Sequence, residues 1–152
     1  MLNLFEELRA LVAALDANGI DYALCGGLAM AVHAFPRATV DIDILIQQED
    51  LDAVRSLAGD VGFKLEAAPM TFHGGDVEIR RVSKPDPTLN DVLMLDLLLV
   101  TPALQAAWAT RRAVPWRDGT IWVVSREGLV ALKSLRGSPQ DRVDIDYLRG
   151  DR

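Results

Sequence analysis

Cysteine is almost absent from this sequence. Cys25 is the only cysteine among 152 residues, so an internal disulfide is impossible and a zinc site built from several thiolates is excluded. The two histidines, His33 and His73, stand far apart, and we expect both to be structural. The chain must therefore fold by packing its hydrophobic residues, which make up 50% of it and suffice for a core. This composition fits a reducing compartment.

Long apolar runs are also lacking. The longest candidate, Val92 to Val100, is interrupted by Asp96 and has the length of a strand. The amino-terminal residues 1–19 carry Glu6 and Arg9 at helical intervals and no leading basic segment, which is typical of an amphipathic helix rather than a signal peptide. We therefore expect no membrane span and a cytoplasmic location.

Positive charge is scarce. The formal net charge is -6, which disfavours a protein that grips a long nucleic-acid backbone through many phosphate contacts. Arg111, Arg112 and Arg117 flank a predicted hairpin and leave two interpretations open. They form a small basic rim suited to a nucleic-acid end, or a solvated edge that discourages strand pairing. The three tryptophans are expected in the core or at an interface.

The elements that are present alternate between helix and strand. The patterns predict a mixed α+β (α/β mixed) fold in one domain over residues 1–152, with a mixed central sheet of about five strands, helices mainly on one face and further helices at the carboxyl end. A hairpin adds two short edge strands. Predicted helices cover residues 3–19, 28–34, 49–61, 101–112, 125–136 and 139–148; predicted strands cover 20–24, 39–47, 77–82, 91–100, 113–116 and 121–124, with a surface turn over 83–90.

Three aspartates interrupt the two most apolar strands. Asp41 and Asp43 are two residues apart, so in a strand they project from the same face, while Ile42 and Ile44 point the other way into the core. Asp96 lies within the apolar strand 91–100, and it reaches the same place if the two strands are neighbours. Like charges held together repel one another, and a divalent cation removes that penalty. An all-oxygen set of this kind suits Mg²⁺ or Mn²⁺.

A glycine pair precedes these aspartates. Gly26 and Gly27 come at the end of the first predicted strand and open a helix. Backbone without side chains approaches a polyphosphate closely, and backbone N–H groups at such a turn favour anions. The pair alone is weak evidence; its meaning comes from the strand with two aspartates that follows.

The order of these residues resembles the signature of the nucleotidyltransferase-fold (polymerase-beta-like) superfamily. The closer likeness is to the minimal nucleotidyltransferases that include the abortive-infection (AbiEii-like) toxins, in which a Gly-Gly pair and a helix precede Arg-x-Thr-x-Asp-x-Asp. Here the run after the glycines supplies Arg37, Thr39, Asp41 and Asp43. The combination is specific, although its separate pieces are not.

Later parts of the pattern match as well. Asp96 corresponds to a third aspartate expected on a later strand, Lys133 to a lysine on a later helix, and Asp141 with Asp144 to a downstream Asp-x-x-Asp. Two positions depart from it. Ala34 stands where many relatives have glycine, and an arginine expected near Ser138 is missing, with Arg136 the nearest substitute.

The resemblance implies transfer of a nucleoside monophosphate from a nucleoside triphosphate to an acceptor hydroxyl, with release of pyrophosphate and two-metal catalysis by Mg²⁺ or Mn²⁺. The acceptor implied is an RNA end such as that of a transfer RNA, a protein or a small molecule. The implied catalytic and metal-binding residues are Asp41, Asp43 and Asp96. The implied nucleotide-binding residues are Gly26, Gly27, Arg37, Thr39 and Lys133.

Simpler interpretations of the same residues remain. Asp41 and Asp43 would then lie on an exposed strand face with ordinary salt bridges, Asp96 would pair with Arg80 or Arg81, and Lys133 would be a solvated helix residue. Asp141 and Asp144 are expected to cap or salt-bridge the last helix. At the level of function, the alternative is a catalytically inactive member that binds a nucleotide or a partner protein, for example in a toxin–antitoxin pair.

Overall fold

The structure is a computed structural model that describes residues 2–33, 41–88 and 91–150. These residues form six α-helices and eight strands. The helices are α1 (Leu4–Ala17), α2 (Gly26–Val32), α3 (Leu51–Asp60), α4 (Gln105–Ala109), α5 (Arg126–Arg136) and α6 (Pro139–Arg149). The strands are β1 (Tyr22–Cys25), β2 (Asp41–Ile46), β3 (Leu65–Glu66), β4 (Met70–Phe72), β5 (Val77–Asp86), β6 (Asp91–Leu99), β7 (Arg112–Trp116) and β8 (Gly119–Val123).

All eight strands belong to one mixed sheet. Its order is β3-β5-β6-β2-β1-β8-β7, and β4 pairs with β5 on the same outer edge as β3. The pairs β2–β6 and β1–β8 are parallel, and the other pairs are antiparallel. The predicted mixed α+β class is confirmed. The eight strands are compatible with the predicted central sheet of about five strands and its added hairpin.

The core lies between the sheet and the helices, and α1 is one of its main contributors. The Asn3 side chain caps α1 by accepting hydrogen bonds from the N–H groups of Phe5 and Glu6, as the sequence predicted. The buried stripe of this helix packs against β2 and α3. Ile42 and Ile44 of β2 are fully buried in the same core, which leaves the opposite face of β2 for other side chains.

Most of the predicted elements are found within a few residues of their expected bounds. The hairpin forms between β7 and β8, and Ser125 caps α5 by accepting a hydrogen bond from the N–H of Gly128. Ser138 and Asp141 form a capping box at the start of α6. His33 is structural as expected, since its Nε2 lies 2.7 Å from the carbonyl oxygen of Val124.

One prediction about the middle of the chain was wrong, and two short strands were missed there. The predicted surface turn over residues 83–90 begins later, because β5 continues to Asp86 and pairs with β6 through Pro85↔Val92 and Asp86↔Asp91. Proline is tolerated there because β3 pairs only with Val82 and Ser83, so the outer edge of β5 needs no N–H at Pro85. The strands β3 and β4 were missed altogether, because they are short and mostly exposed and carry no alternating apolar pattern.

No helix in the described part of the chain has the length and apolar character needed to cross a membrane.

Candidate active site

Three carboxylates meet on the face of the sheet opposite Ile42 and Ile44. The strands β2 and β6 are parallel neighbours, and their register places Asp43 directly beside Asp96. Asp41 lies two residues before Asp43 and shares its face. The structure therefore brings together the three aspartates that the sequence singled out, and the pairing of β2 with β6 is the reason.

Asp96 is held by an arginine. Arg81 of β5 lies opposite Asp96 in the antiparallel register, and it donates from Nε to Oδ1 at 2.7 Å and from Nη2 to Oδ2 at 3.0 Å. The Asp96 side chain is 8% exposed and that of Arg81 is 32% exposed. The simpler interpretation of Asp96 as the partner of Arg81 is thus confirmed as geometry, and it coexists with the convergence on Asp43.

The electrostatics of the site disfavour negative charge on the other two aspartates. Burial, followed by repulsion from Asp96, raises the pKa of Asp43 to about 7. The same two causes raise the pKa of Asp41. Arg136 and Lys133 lower the pKa of Asp43 but do not cancel the rise. A bound cation would offset this unfavourable environment of the carboxylates.

The glycine turn adjoins Asp43. Gly26 begins α2 with a φ of +67°, a left-handed conformation that favours glycine. A Cβ atom at this position would collide with the carboxylate of Asp43. Gly26 therefore lets the chain turn from β1 into α2 directly against the carboxylate, and Gly27 lies buried beside it on the cleft side.

Cys25 precedes the glycine turn and is 2% exposed. Burial, followed by the charge of Asp43, raises the pKa of its thiol well above the usual range. A protonated buried thiol is a small packing group.

Lys133 lies beneath the carboxylates, on α5. It lines a small pocket together with Gly26 and Asp43, and it is 3% exposed. Its Nζ donates to Oδ2 of Asp144 on α6 at 2.9 Å, with Asp141 3.9 Å away. The interpretation of Lys133 as a solvated residue is wrong, since burial against α6 removes it from water. The expectation that Asp141 and Asp144 cap or salt-bridge the last helix is confirmed.

The carboxylates open into a cleft of about 700 Å³. One side is polar and carries Gly27, Arg136 and Gln140, the last two from the ends of α5 and α6 that meet there. The other side is largely apolar. It is lined by Met70, Phe72, His73, Val77, Ile79 and Leu98.

Several of these residues were missed from the sequence. Arg136 was noted only as the nearest substitute for an absent arginine, and the apolar side was not foreseen because β4 was not predicted. His73, expected to be structural, is exposed at the cleft with a φ of +53°. A left-handed conformation is uncommon in a residue other than glycine and draws attention to His73. It is visible in the backbone of the structure and not in the sequence.

Two predicted nucleotide-binding residues, Arg37 and Thr39, and the departing position Ala34 lie outside the described residues. The basic hairpin residues lie elsewhere on the sheet. Arg111 stacks over the rings of Trp108 and Trp122 at 4.4 and 4.7 Å, and none of the described residues that line the cleft belongs to β7 or β8.

The three aspartates fit a hard divalent cation by their chemistry. They offer carboxylate oxygens, and their mutual repulsion is the penalty that such an ion removes. As the described side chains stand, however, no three Asp, Glu, His or Cys groups are arranged to hold an ion. At this site each oxygen of Asp96 accepts one hydrogen bond from Arg81, so a bound ion would share these oxygens with the guanidinium through their remaining lone pairs.

Comparisons with known proteins bear on the fold. No protein-family model matches the chain, and no curated protein matches it. Solved structures do match. TM1012 of Thermotoga maritima, provisionally assigned as a nucleotidyltransferase, is 14% identical with a TM-score of 0.64, over 97% of this chain and 93% of that one.

Two further structures have the same architecture. The antibiotic-resistance factor ANT(2'')-Ia, solved in complex with adenylyl-2''-tobramycin, is 13% identical with a TM-score of 0.61, over 93% of this chain and 84% of that one. JHP933 from Helicobacter pylori is 14% identical with a TM-score of 0.56, over 95% of this chain and 63% of that one. Such identities speak to architecture alone. The chain has the nucleotidyltransferase fold.

Proposed function

We propose that the protein transfers a nucleoside monophosphate from a nucleoside triphosphate to an acceptor hydroxyl. The observation that carries this proposal is the convergence of Asp41, Asp43 and Asp96 on one face of the sheet, beside the turn at Gly26, in this fold. In the reaction, the acceptor oxygen bonds to the α-phosphorus, the bond from that phosphorus to pyrophosphate breaks, and the hydroxyl proton leaves to water.

The proposed roles follow from position. Asp41, Asp43 and Asp96 would hold Mg²⁺ or Mn²⁺, which when bound supplies charge neutralisation for the triphosphate and activation of the acceptor hydroxyl. Gly26 and Gly27 leave room for phosphates, and Arg136 faces the same space from α5. The ammonium group of Lys133 lowers the pKa of Asp43, and its ion pair with Asp144 holds α5 against α6. Arg37 and Thr39 complete the proposed nucleotide contacts.

The finer assignments belong to the same proposal. We infer one catalytic domain over residues 1–152, a cytoplasmic location and a relationship to the AbiEii-like minimal enzymes, on the residues that carry the resemblance. The acceptor would be an RNA end, a protein or a small molecule.

Labelling with nucleoside triphosphates tests the activity. The protein is incubated with each α-labelled triphosphate, Mg²⁺ and a panel of transfer RNA, cellular protein and hydroxyl-bearing small molecules. Wild type should label an acceptor, and Asp43→Asn should lower the rate by about 100-fold or more, because it removes a charge that acts on the transition state. Asp60→Asn, at an exposed residue ending α3, is the matched control. Equal labelling by wild type and Asp43→Asn would refute the proposal.

One observation favours a second candidate, an inactive member that binds nucleotide or a partner protein. Arg81 occupies both oxygens of Asp96, which is also the arrangement expected if the third carboxylate never binds metal. Calorimetry with a non-hydrolysable triphosphate separates the two. Binding that is unaffected by Mg²⁺ and by Asp96→Asn, without turnover on any acceptor, favours the second candidate.

A further inference from the structure

The apolar side of the cleft forms a continuous wall. In the sheet register Met70 pairs with Ile79, Phe72 pairs with Val77, and Ile79 pairs with Leu98. Ile79 lies two residues before Arg81, and Leu98 two residues after Asp96, so the wall shares the face of the carboxylates. We name this set, Met70, Phe72, Val77, Ile79 and Leu98, the β4–β6 wall.

Three of the five side chains of this wall are unusually exposed for apolar residues, whereas Val77 and Leu98 are 3% and 7% exposed. Phe72 is 47% exposed, and Met70 and Ile79 are only partly buried. The group of side chains borders the carboxylates directly, within the same cleft. Exposed apolar surface inside a polar cleft indicates a ligand part that covers it.

The strand order places β5 and β4, which carry most of this wall, on the far side of the carboxylates from the glycine turn. Leu98 of β6 is the exception, because it also borders the small pocket that contains Gly26 and Arg136. Across the sheet the sequence of positions is Gly26 at the end of β1, Asp43 on β2, Asp96 on β6, Ile79 on β5 and Met70 on β4. Arg136, a cation that lines the cleft, and Gly27 lie with the glycine turn. The triphosphate of the proposed function, on which this inference rests, belongs on that side because its charge needs cations and close backbone.

The geometry of phosphoryl transfer determines which of the two substrates contacts the wall. The attacking oxygen and the leaving pyrophosphate lie roughly in line on opposite sides of the α-phosphorus. If pyrophosphate leaves toward Gly27 and Arg136, the acceptor approaches from the side of β5 and β4. The β4–β6 wall is therefore positioned for the acceptor rather than for the phosphates.

The charge of the cleft restricts the chemical class of the acceptor. Among the described residues that line it, the only acids are the three aspartates. Bound divalent cations would neutralise the negative charge of these aspartates. A polycation would find no other carboxylate there. We propose that the acceptor presents its hydroxyl on an uncharged aromatic or apolar body that packs on the β4–β6 wall, and that it is not a polycation such as tobramycin.

Binding measurements on the whole chain test this proposal. The probes are N-acetyl-L-tyrosinamide, a neutral aromatic hydroxyl compound, and tobramycin. Each is titrated with and without Mg²⁺ and α,β-methylene-ATP, and the methyl signals of Met70, Val77 and Ile79 are followed by NMR. We expect the aromatic probe to shift these signals. Phe72→Ala should weaken its binding about tenfold, since one aromatic contact is lost, and Phe72→Tyr should retain it.

The control variant is Trp122→Ala, which removes another exposed ring, on β8. It should change neither probe, and Phe72→Ala should leave the affinity for α,β-methylene-ATP within about twofold. The proposal is overturned if Phe72→Ala weakens the nucleotide analogue as much as the aromatic probe, because the wall then holds the base. It is also overturned if tobramycin shifts the wall signals at lower concentration than the aromatic probe does.

Failure of the proposed function gives a different result. In that case the wild-type protein shows no Mg²⁺-dependent binding of α,β-methylene-ATP, whatever the aromatic probe does. The titrations without nucleotide still show whether the wall prefers the aromatic probe to tobramycin, so a negative result there overturns the ligand class by itself.

Discussion

At the residue scale, the strictest requirement of the site is at Gly26. Its φ is +67°, and a Cβ there would collide with the Asp43 carboxylate. Gly19 offers a matched control, because its φ is +66° with nothing within 4 Å of a built Cβ. We expect Gly19→Ala to cost about 1 kcal/mol of unfolding free energy from backbone strain alone. Gly26→Ala should cost at least about 1 kcal/mol more, since Asp43 must move.

Urea denaturation of the two variants measures this difference, and calorimetry with Mn²⁺ shows whether displacement of Asp43 also weakens cation binding. Equal losses of stability for Gly19→Ala and Gly26→Ala would mean that the Asp43 side chain yields at no cost. The tight packing of the glycine turn against the carboxylate would then have no energetic weight.

The pair of Arg81 with Asp96 gives a second prediction at this scale. Arg81→Met leaves a nearly buried carboxylate beside Asp43 without its guanidinium. The unfolding free energy should fall by about 2 kcal/mol, less than for a fully buried pair because Arg81 is partly exposed. Mg²⁺ should then stabilise the variant more than it stabilises wild type, since Asp96 is free to bind the ion. Thermal melts with and without Mg²⁺ measure both effects.

Arg80→Met is the control for that experiment. Arg80 is the neighbour of Arg81 and donates to Glu78 at 3.2 Å, so its removal should leave the response to Mg²⁺ unchanged. A response of Arg81→Met no larger than that of wild type would argue that Asp96 is no ligand at all and would favour the inactive candidate.

The aspartates were predictable one by one, and their partners were not. Asp41, Asp43 and Asp96 are recognisable because a charged residue in an apolar strand is a local anomaly with a period of two. Arg81 looked no different from Arg80 in the sequence, since which of them faces Asp96 depends on the β5–β6 register. Arg136 reaches the cleft only through the packing of α5, which the sequence does not encode locally.

At the scale of elements, α5 and α6 are joined by a buried ion pair. Lys133 and Asp144 have side chains that are 4% and 1% exposed, and both are shielded by the contact of the two helices. Lys133→Met strands the charge of Asp144 in the interior, and we expect it to cost about 3 kcal/mol of unfolding free energy. The surface pair of Arg9 and Asp118, 47% and 75% exposed, is the comparison, and Arg9→Met should cost less than about 1 kcal/mol.

Chemical denaturation of both variants tests this contrast. The double variant Lys133→Met with Asp144→Leu should recover part of the loss, because it removes the stranded charge. A cost for Lys133→Met as small as that for Arg9→Met would show that the pair does not hold α6 against α5.

The elements differ in how well the sequence predicted them. Helices with caps at Asn3 and Ser125, and strands with apolar runs, were predicted because capping and periodicity are local signals. The strands β3 and β4 were missed because they exist only through pairing with the outer edge of β5. That edge also builds the β4–β6 wall, so the part of the cleft that we propose contacts the acceptor could not be predicted from the sequence.

At the scale of the whole molecule, the two faces of the sheet carry different groups. One face of β2 and β6 buries Ile42, Ile44 and Leu97 in the core, and the other carries the three aspartates together with the buried Leu45 and Leu98. The strands that supply the site are therefore held by the core itself. Substitutions of the acids should change binding more than folding, which is the pattern expected of groups that are costly without their ligand.

The stability of the whole molecule should depend on Asp86 at acid pH. Asp86 is 5% exposed, and it ties the start of the chain to the β5–β6 turn by accepting hydrogen bonds from the N–H of Leu2 and from Thr88. The hydroxyl and N–H of Thr88 lower the pKa of Asp86 to about 2 from the ordinary 3.8. A lowered folded-state pKa means that the ionised form stabilises the fold, fully above about pH 4 and progressively less as the pH falls through the folded-state value near 2.

Asp86→Asn should therefore be less stable than wild type near neutral pH. The gap should close as the pH falls from about 4 to below about 2, and Asp60→Asn, at an exposed end of α3, is the control variant. Urea midpoints across this range measure it, and a gap that stays constant with pH would show that the ionisation of Asp86 does not support the fold.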